Sequence, residues 1–96
     1  MTNKYVISAK RIVGFDGKPL NEEEYIWRYA QDDDVGSYST GYPYMGRENT
    51  AKVFESVEDA KKYFENAKKY LKDDKHDWST LAIRKRIYKT EEYLKI

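Results

Sequence analysis

Asp32, Asp33 and Asp34 run consecutively, and Asp73, Asp74 and Asp77 form a second acidic group. Carboxylates gathered in space hold hard cations such as Ca²⁺. On an extended chain, however, successive side chains point to opposite sides, and neither group has the spacing of a calcium loop. A solvated turn and a helix exit account for them more simply. His76 is the only histidine and stands between Lys75 and Asp77. An imidazole metal site or a Ser-His-Asp relay would rest on it alone, and its charged flanks place it in a solvated loop.

Gly41, Gly46 and Arg47 give G-x-x-x-x-G-R, the outline of a phosphate loop. The outline fails where chemistry is done. Arg47 replaces the lysine, and Glu48 replaces the hydroxyl that would hold Mg²⁺. A carboxylate at that point repels phosphate. Cysteine is absent, which removes thiolate nucleophiles, disulfides and Cys-bound zinc. With these anchors of catalysis missing, the sequence reads as a non-enzymatic protein that needs no metal or cofactor.

Two stretches are better suited to binding. The first is "SYSTGYPYMGRENT", residues 37–50, which sets Tyr38, Tyr42 and Tyr44 among Ser, Thr, Gly and Pro without a hydrophobic period. Its composition is that of a binding loop, rigid rings with adaptable polar neighbours. Proline fixes its own φ and keeps the preceding residue extended, so Tyr42-Pro43-Tyr44 is already stiff and loses little entropy on docking. Tyr38, Tyr42, Tyr44 and Arg47 are the expected contacts to a protein partner, since Tyr and Arg anchors commonly dominate interface energetics. The plainer reading folds Tyr42 and Tyr44 back over a sheet edge to complete a small core.

The second is "RKRIYK", residues 84–89. Strand alternation puts Arg84, Arg86 and Tyr88 on one face, with Lys10 and Arg28 expected on a neighbouring open face. Cations interleaved with aromatics on a sheet hold single-stranded nucleic acid through phosphate contacts and base stacking. The same residues also serve merely to solvate a strand. Lys+Arg 18 against Asp+Glu 17 leaves a net charge of +1, so no global field gathers a polyanion. Nucleic-acid binding is therefore the alternative to a protein partner.

Ninety-six residues make one domain, and the elements that must position these residues are legible. Residues 5–13 alternate as a strand, with Tyr5, Ile7, Ala9 and Val13 opposite Ser8 and Lys10, and Arg11 an exception on the apolar side. Asp16-Gly17 and Pro19 mark a turn. A second strand, 25–30, sets Tyr25, Trp27 and Tyr29 against Ile26, Arg28 and Ala30, and "QDDD" ends it. No element is expected between Asp34 and Thr50; a short third strand follows at 51–54. Val57, Ala60, Phe64, Ala67 and Leu71 then recur at helical spacing. Ser56 is its N-cap, with Asp59 placed as in a capping box, and Lys68, Lys69 and Lys72 suit its last turn. Residues 80–89 form the last strand. The order β-β-β-α-β predicts an α+β domain, an antiparallel sheet of about four strands with one helix across one face and the other face open.

Gly41–Tyr44 ("GYPY") and a segment of the form A-x-x-F-x-S-x-E-x-A, here Ala51, Phe54, Ser56, Glu58 and Ala60, resemble small uncharacterised proteins of phages and prophages in Gram-positive bacteria. The resemblance implies an accessory phage product that binds or inhibits a host component, defence nucleases among them. No apolar run approaches membrane-spanning length, and "MTNKYVISAK" lacks the long apolar stretch of a secretion signal. The expectation is thus a cytoplasmic protein, monomer or homodimer, with an unidentified host protein as partner and no membrane contact.

Overall fold

The computed structural model describes residues 3–32 and 42–87, so Asp33, Asp34, Tyr38, Gly41, Tyr88 and the tail lie outside the described residues. Four strands, β1 (Asn3–Arg11), β2 (Ile26–Asp32), β3 (Pro43–Gly46) and β4 (His76–Ile87), form one antiparallel sheet in the order β3-β2-β1-β4. The one α-helix among the described residues, α1 (Val57–Ala67), packs on one face against β1 and β4. The domain is α+β, as the element order predicts.

In β1, Val6, Ile7, Ser8 and Ala9 are all buried, so the strand is covered on both sides and not half-buried as its alternation predicts. Ile7 and Ala9 are buried beneath the helix with Ala30, Ala60 and Ala67. Alanines at these points let helix and sheet approach closely, while Tyr63, Phe64, Leu81 and Ile83 close the rim. β1 and β2 pair through a hairpin whose loop turns at Gly17, the one described residue with positive φ (84°). β2 does not end at "QDDD" as expected, but continues through Gln31 and Asp32 because these residues pair with Tyr44 and Pro43.

The third strand is not at 51–54. It is Pro43–Gly46, inside the stretch read from sequence as structureless, and Glu48–Thr50 adds a turn of 3-10 helix. Pro43 sits at the start of an edge strand, where its missing N–H is tolerated. Residues 51–54 instead fill the corner where β2 diverges from β1. Tyr5 and Phe54 exchange both backbone hydrogen bonds (2.9 and 2.8 Å), and Lys52 N–H donates to Ala30 O at 3.0 Å. That single bridge turns the Phe54 ring into the core.

Ser56 caps α1, its Oγ accepting from Asp59 N–H at 3.1 Å. The apolar stripe runs to buried Leu71, but helical pairing stops earlier. Lys68 N–H still reaches Phe64 O, whereas Tyr70 N–H bonds Ala67 O in a tighter turn. Lys68, Lys69 and Lys72 therefore follow the helix rather than occupy its last turn.

Candidate functional site

β2 and β3 place Tyr44 opposite Gln31, and the Tyr44 hydroxyl donates to Gln31 Oε1 at 3.0 Å. Gln31 is buried, and its amide is fully engaged. Oε1 also accepts from Thr50 Oγ1 at 2.7 Å, while Nε2 donates to Tyr29 O (3.3 Å) and Arg47 O (3.0 Å). A buried amide so satisfied fixes the register of its neighbours. Gly46 belongs to this clamp: a Cβ there would lie 2.4 Å from Gln31 Nε2. The glycine that gives the phosphate-loop outline is needed for this close approach.

Tyr42 leans the other way. Its ring stacks on Tyr70, just past the helix, with centroids 4.9 Å apart and planes at 17°. Tyr42, Tyr44 and Tyr70 remain 55%, 44% and 41% exposed, and Arg47 is exposed as well. The tyrosines thus neither fold into the core nor hang free, each being tied on one side and open on the other. Beside the stacked pair is an open notch of about 330 Å³, lined by Asp32, Tyr42, Pro43, Tyr63, Lys69 and Tyr70. Asp32 is committed within it, accepting from the Tyr63 hydroxyl at 2.7 Å and pairing with Lys52 at 3.3 Å. Burial, with the hydrogen bond to Asp32 and its charge, pushes the Tyr63 phenol far above its ordinary value, so the hydroxyl stays a donor.

The sheet's open face carries the second constellation. Directly opposed residues share a face, so the pairs Ser8/Tyr29, Lys10/Trp27, Val6/Arg84 and Lys4/Arg86 all project away from the helix. Arg84 reaches across β1 above buried Ser8, donating to Ser8 O and Oγ and to Thr80 O, each at 3.0 Å. Its guanidinium ends 4.3 Å from the Trp27 ring centre. Lys10 Nζ lies 5.3 Å from the same ring, and Arg86 lies 5.4 Å from that of Tyr29. Lys10, Arg84 and Arg86 are therefore brought together, and Trp27 and Tyr29, which the sequence reading did not group with them, interleave them.

Arg28 does not join them. It pairs with Ala9, and alternation sets it with Ala30 on the helix-side face. There Arg11 and Arg28 lie 4.4 and 5.3 Å from the ring of Phe15, which is 70% exposed. Arg28 Nε is buried without a hydrogen-bond partner among the described residues. Desolvation, then the nearby charges of Arg11 and Arg47, lower the Arg28 pKa from its ordinary value.

His76, expected in a solvated loop, is buried at the start of β4. Its Nδ1 is 2.9 Å from Asp73 Oδ1, and its ring lies 5.0 Å from that of Trp78, whose indole N–H donates to Asp73 O. An ionised carboxylate only accepts, so Nδ1 carries the hydrogen. Nε2 is buried without a partner among the described residues. Burial alone would raise the Asp73 carboxyl, but hydrogen bonds from His76 and the Lys75 N–H outweigh it and hold the group below the ordinary aspartate value.

Among the described residues no group of His, Asp and Glu gathers as a metal site would require, and no helix is long and apolar enough to cross a membrane. No family model, curated protein or solved structure matches the chain.

Proposed function

We propose that the chain is a non-enzymatic interaction module that docks a protein partner on its tyrosine surface. One observation carries this reading: stacked Tyr42 and Tyr70 keep about half of each ring in solvent beside an open notch. Isolated exposed rings are common on any surface. A stacked pair, held against β3 and the helix end before any partner arrives, is a different object, because its ordering entropy is already spent. Tyr44 and Arg47 extend the surface along β3, and the Gln31 clamp fixes the backbone beneath them. The notch is of a size to receive one anchoring side chain. In keeping with the resemblance to accessory phage proteins, the partner is a host protein of the bacterial cytoplasm, such as a defence nuclease, bound and thereby inhibited.

The test captures partners from host cells with the wild-type chain and with Tyr42→Ala and Tyr70→Ala, each checked for native circular dichroism. The captured protein is then titrated by calorimetry. Each substitution is expected to weaken binding by about tenfold or more, the usual size of an aromatic anchor. Variants that fold and bind as tightly as wild type would remove the tyrosine surface from the proposal.

A further inference from the structure

Tyr44, opposite Gln31, stands at the β3 edge of the open sheet face, but the stacked Tyr42–Tyr70 pair lies on the helix side, and the chemistry of the rest of the open face points elsewhere. Lys4, Lys10, Arg84 and Arg86 lie on it by register, against Asp77 opposite Lys10 and Glu55 paired with Lys4. Among the described residues of the paired strands, four cations face two carboxylates, with Glu48, whose backbone O accepts from Arg86 at 3.3 Å, at the edge; the domain as a whole is nearly neutral. The cations lie over flat rings, Lys10 and Arg84 both over Trp27, and Arg86 over Tyr29. We infer that this face binds single-stranded nucleic acid, with Lys10 and Arg86 meeting phosphates and the Trp27–Arg84 layer serving as a stacking platform.

The assignment follows from what each group can do. Arg84 is held by three hydrogen bonds to β1 and β4, so its guanidinium plane is fixed before a ligand arrives. One side of that plane faces Trp27. Bases stack on guanidinium planes as they do on aromatic rings, and a plane already held costs little to use. Trp27 is itself 40% exposed, leaving ring surface beyond the cations for a second contact. A duplex buries its bases and presents only phosphates to such a platform, so the arrangement favours unstacked strands. An acidic polypeptide would meet the charges but leave the rings idle.

The test is fluorescence anisotropy of end-labelled oligothymidylate and oligouridylate at rising salt, with a duplex and polyglutamate as competitors. Saturable binding is expected at low salt, its logarithm falling by about 0.7 per phosphate contact for each logarithm of salt. Replacing Lys10 and Arg86 together by Gln should lower that slope by about 1.4, two contacts' worth. Trp27→Leu should weaken binding by about fivefold or more at unchanged slope, because stacking is insensitive to salt. If circular dichroism shows that Trp27→Leu does not fold, Tyr29→Leu carries the stacking arm. Tyr42→Ala should leave oligonucleotide binding unaltered, which separates this inference from the docking surface. No saturable binding, equal competition by duplex or polyglutamate, or an unmoved slope in the Lys10/Arg86 variant would each overturn it.

Discussion

The Arg84 guanidinium rests 4.3 Å from the centre of the Trp27 ring, although the two residues belong to strands on opposite sides of β1. The contact spans the sheet, and Ser8 makes it possible: a small buried side chain beneath the arginine that also accepts its hydrogen bond. Three strands are thereby tied on the side away from α1.

Arg84→Met tests that tie. Methionine keeps the length of the stem and loses the charge and donors. Charge-assisted hydrogen bonds contribute about 1.5–3 kcal/mol where buried, and a partly exposed cation–π contact about 0.5–1 kcal/mol. Partial solvent access reduces the sum, so a loss of about 1–2 kcal/mol is expected in urea unfolding, with a shift in Trp emission. Unchanged stability would show the arginine to be only a solvated charge.

Gly46→Ala tests the clamp. The added Cβ meets Gln31 Nε2 at 2.4 Å, and the amide cannot retreat without releasing Tyr29 O and Arg47 O. A cost of about 1–3 kcal/mol follows from overpacking and the broken bonds. The double-mutant cycle with Gln31→Ala gives the sharper result, since removing the amide removes the clash. Coupling of at least about 1 kcal/mol is expected between the two positions. Additive effects would place the strain of Gly46→Ala elsewhere.

The helix and the outer strands were legible because their periods are local properties. Val57, Ala60, Phe64 and Ala67 announce a helix, and Ile7 and Ala9 a strand with one apolar side, without reference to the rest of the chain. Val6 and Ser8 prove buried on that strand's other side as well. β3 was not, because Pro43-Tyr44-Met45-Gly46 has no β-branched residue and owes its strand to Gln31 in β2. Arg28 was misplaced for a related reason. Alternation separates it from Trp27 and Tyr29, but sequence does not say which side of β2 the helix will cover. The buried alanines decide that, since Ala9 and Ala30 admit a closely packed helix and Trp27 would not. His76 reads as solvated from its neighbours, whereas its burial depends on Asp73 and Trp78 folding around it.

Asp73→Asn tests the carboxylate beside His76. The folded-state pKa of Asp73 lies below the ordinary aspartate value of 3.8. A depressed carboxyl contributes stability that is present above the unfolded value and lost as pH falls through the folded one. Wild-type stability should therefore decline as pH drops through 3.8 and below. In Asp73→Asn that part of the decline should be missing, with lower stability at neutral pH. Urea midpoints measured across this range decide it, and parallel curves for the two proteins would exclude the Asp73–His76 link as their source.

Arg28→Met should have the opposite sign from Arg84→Met, although both remove an arginine from the sheet. Arg84 satisfies its donors on Ser8 and Thr80; Arg28 has its Nε buried without a partner among the described residues, and Arg11 and Arg47 repel it. An unsatisfied buried donor costs about 1–3 kcal/mol, and methionine removes that cost while keeping the stem against its neighbours. Solvent screens the charge repulsion, and the contact with Phe15 returns about 0.5 kcal/mol to the arginine, so the net gain is modest. Arg28→Met is expected to be at least as stable as wild type, by about 0.5 kcal/mol, in the same urea titration that finds Arg84→Met destabilised. A loss comparable to that of Arg84→Met would mean that the Phe15 contact, and not the orphaned Nε, governs this corner of the sheet.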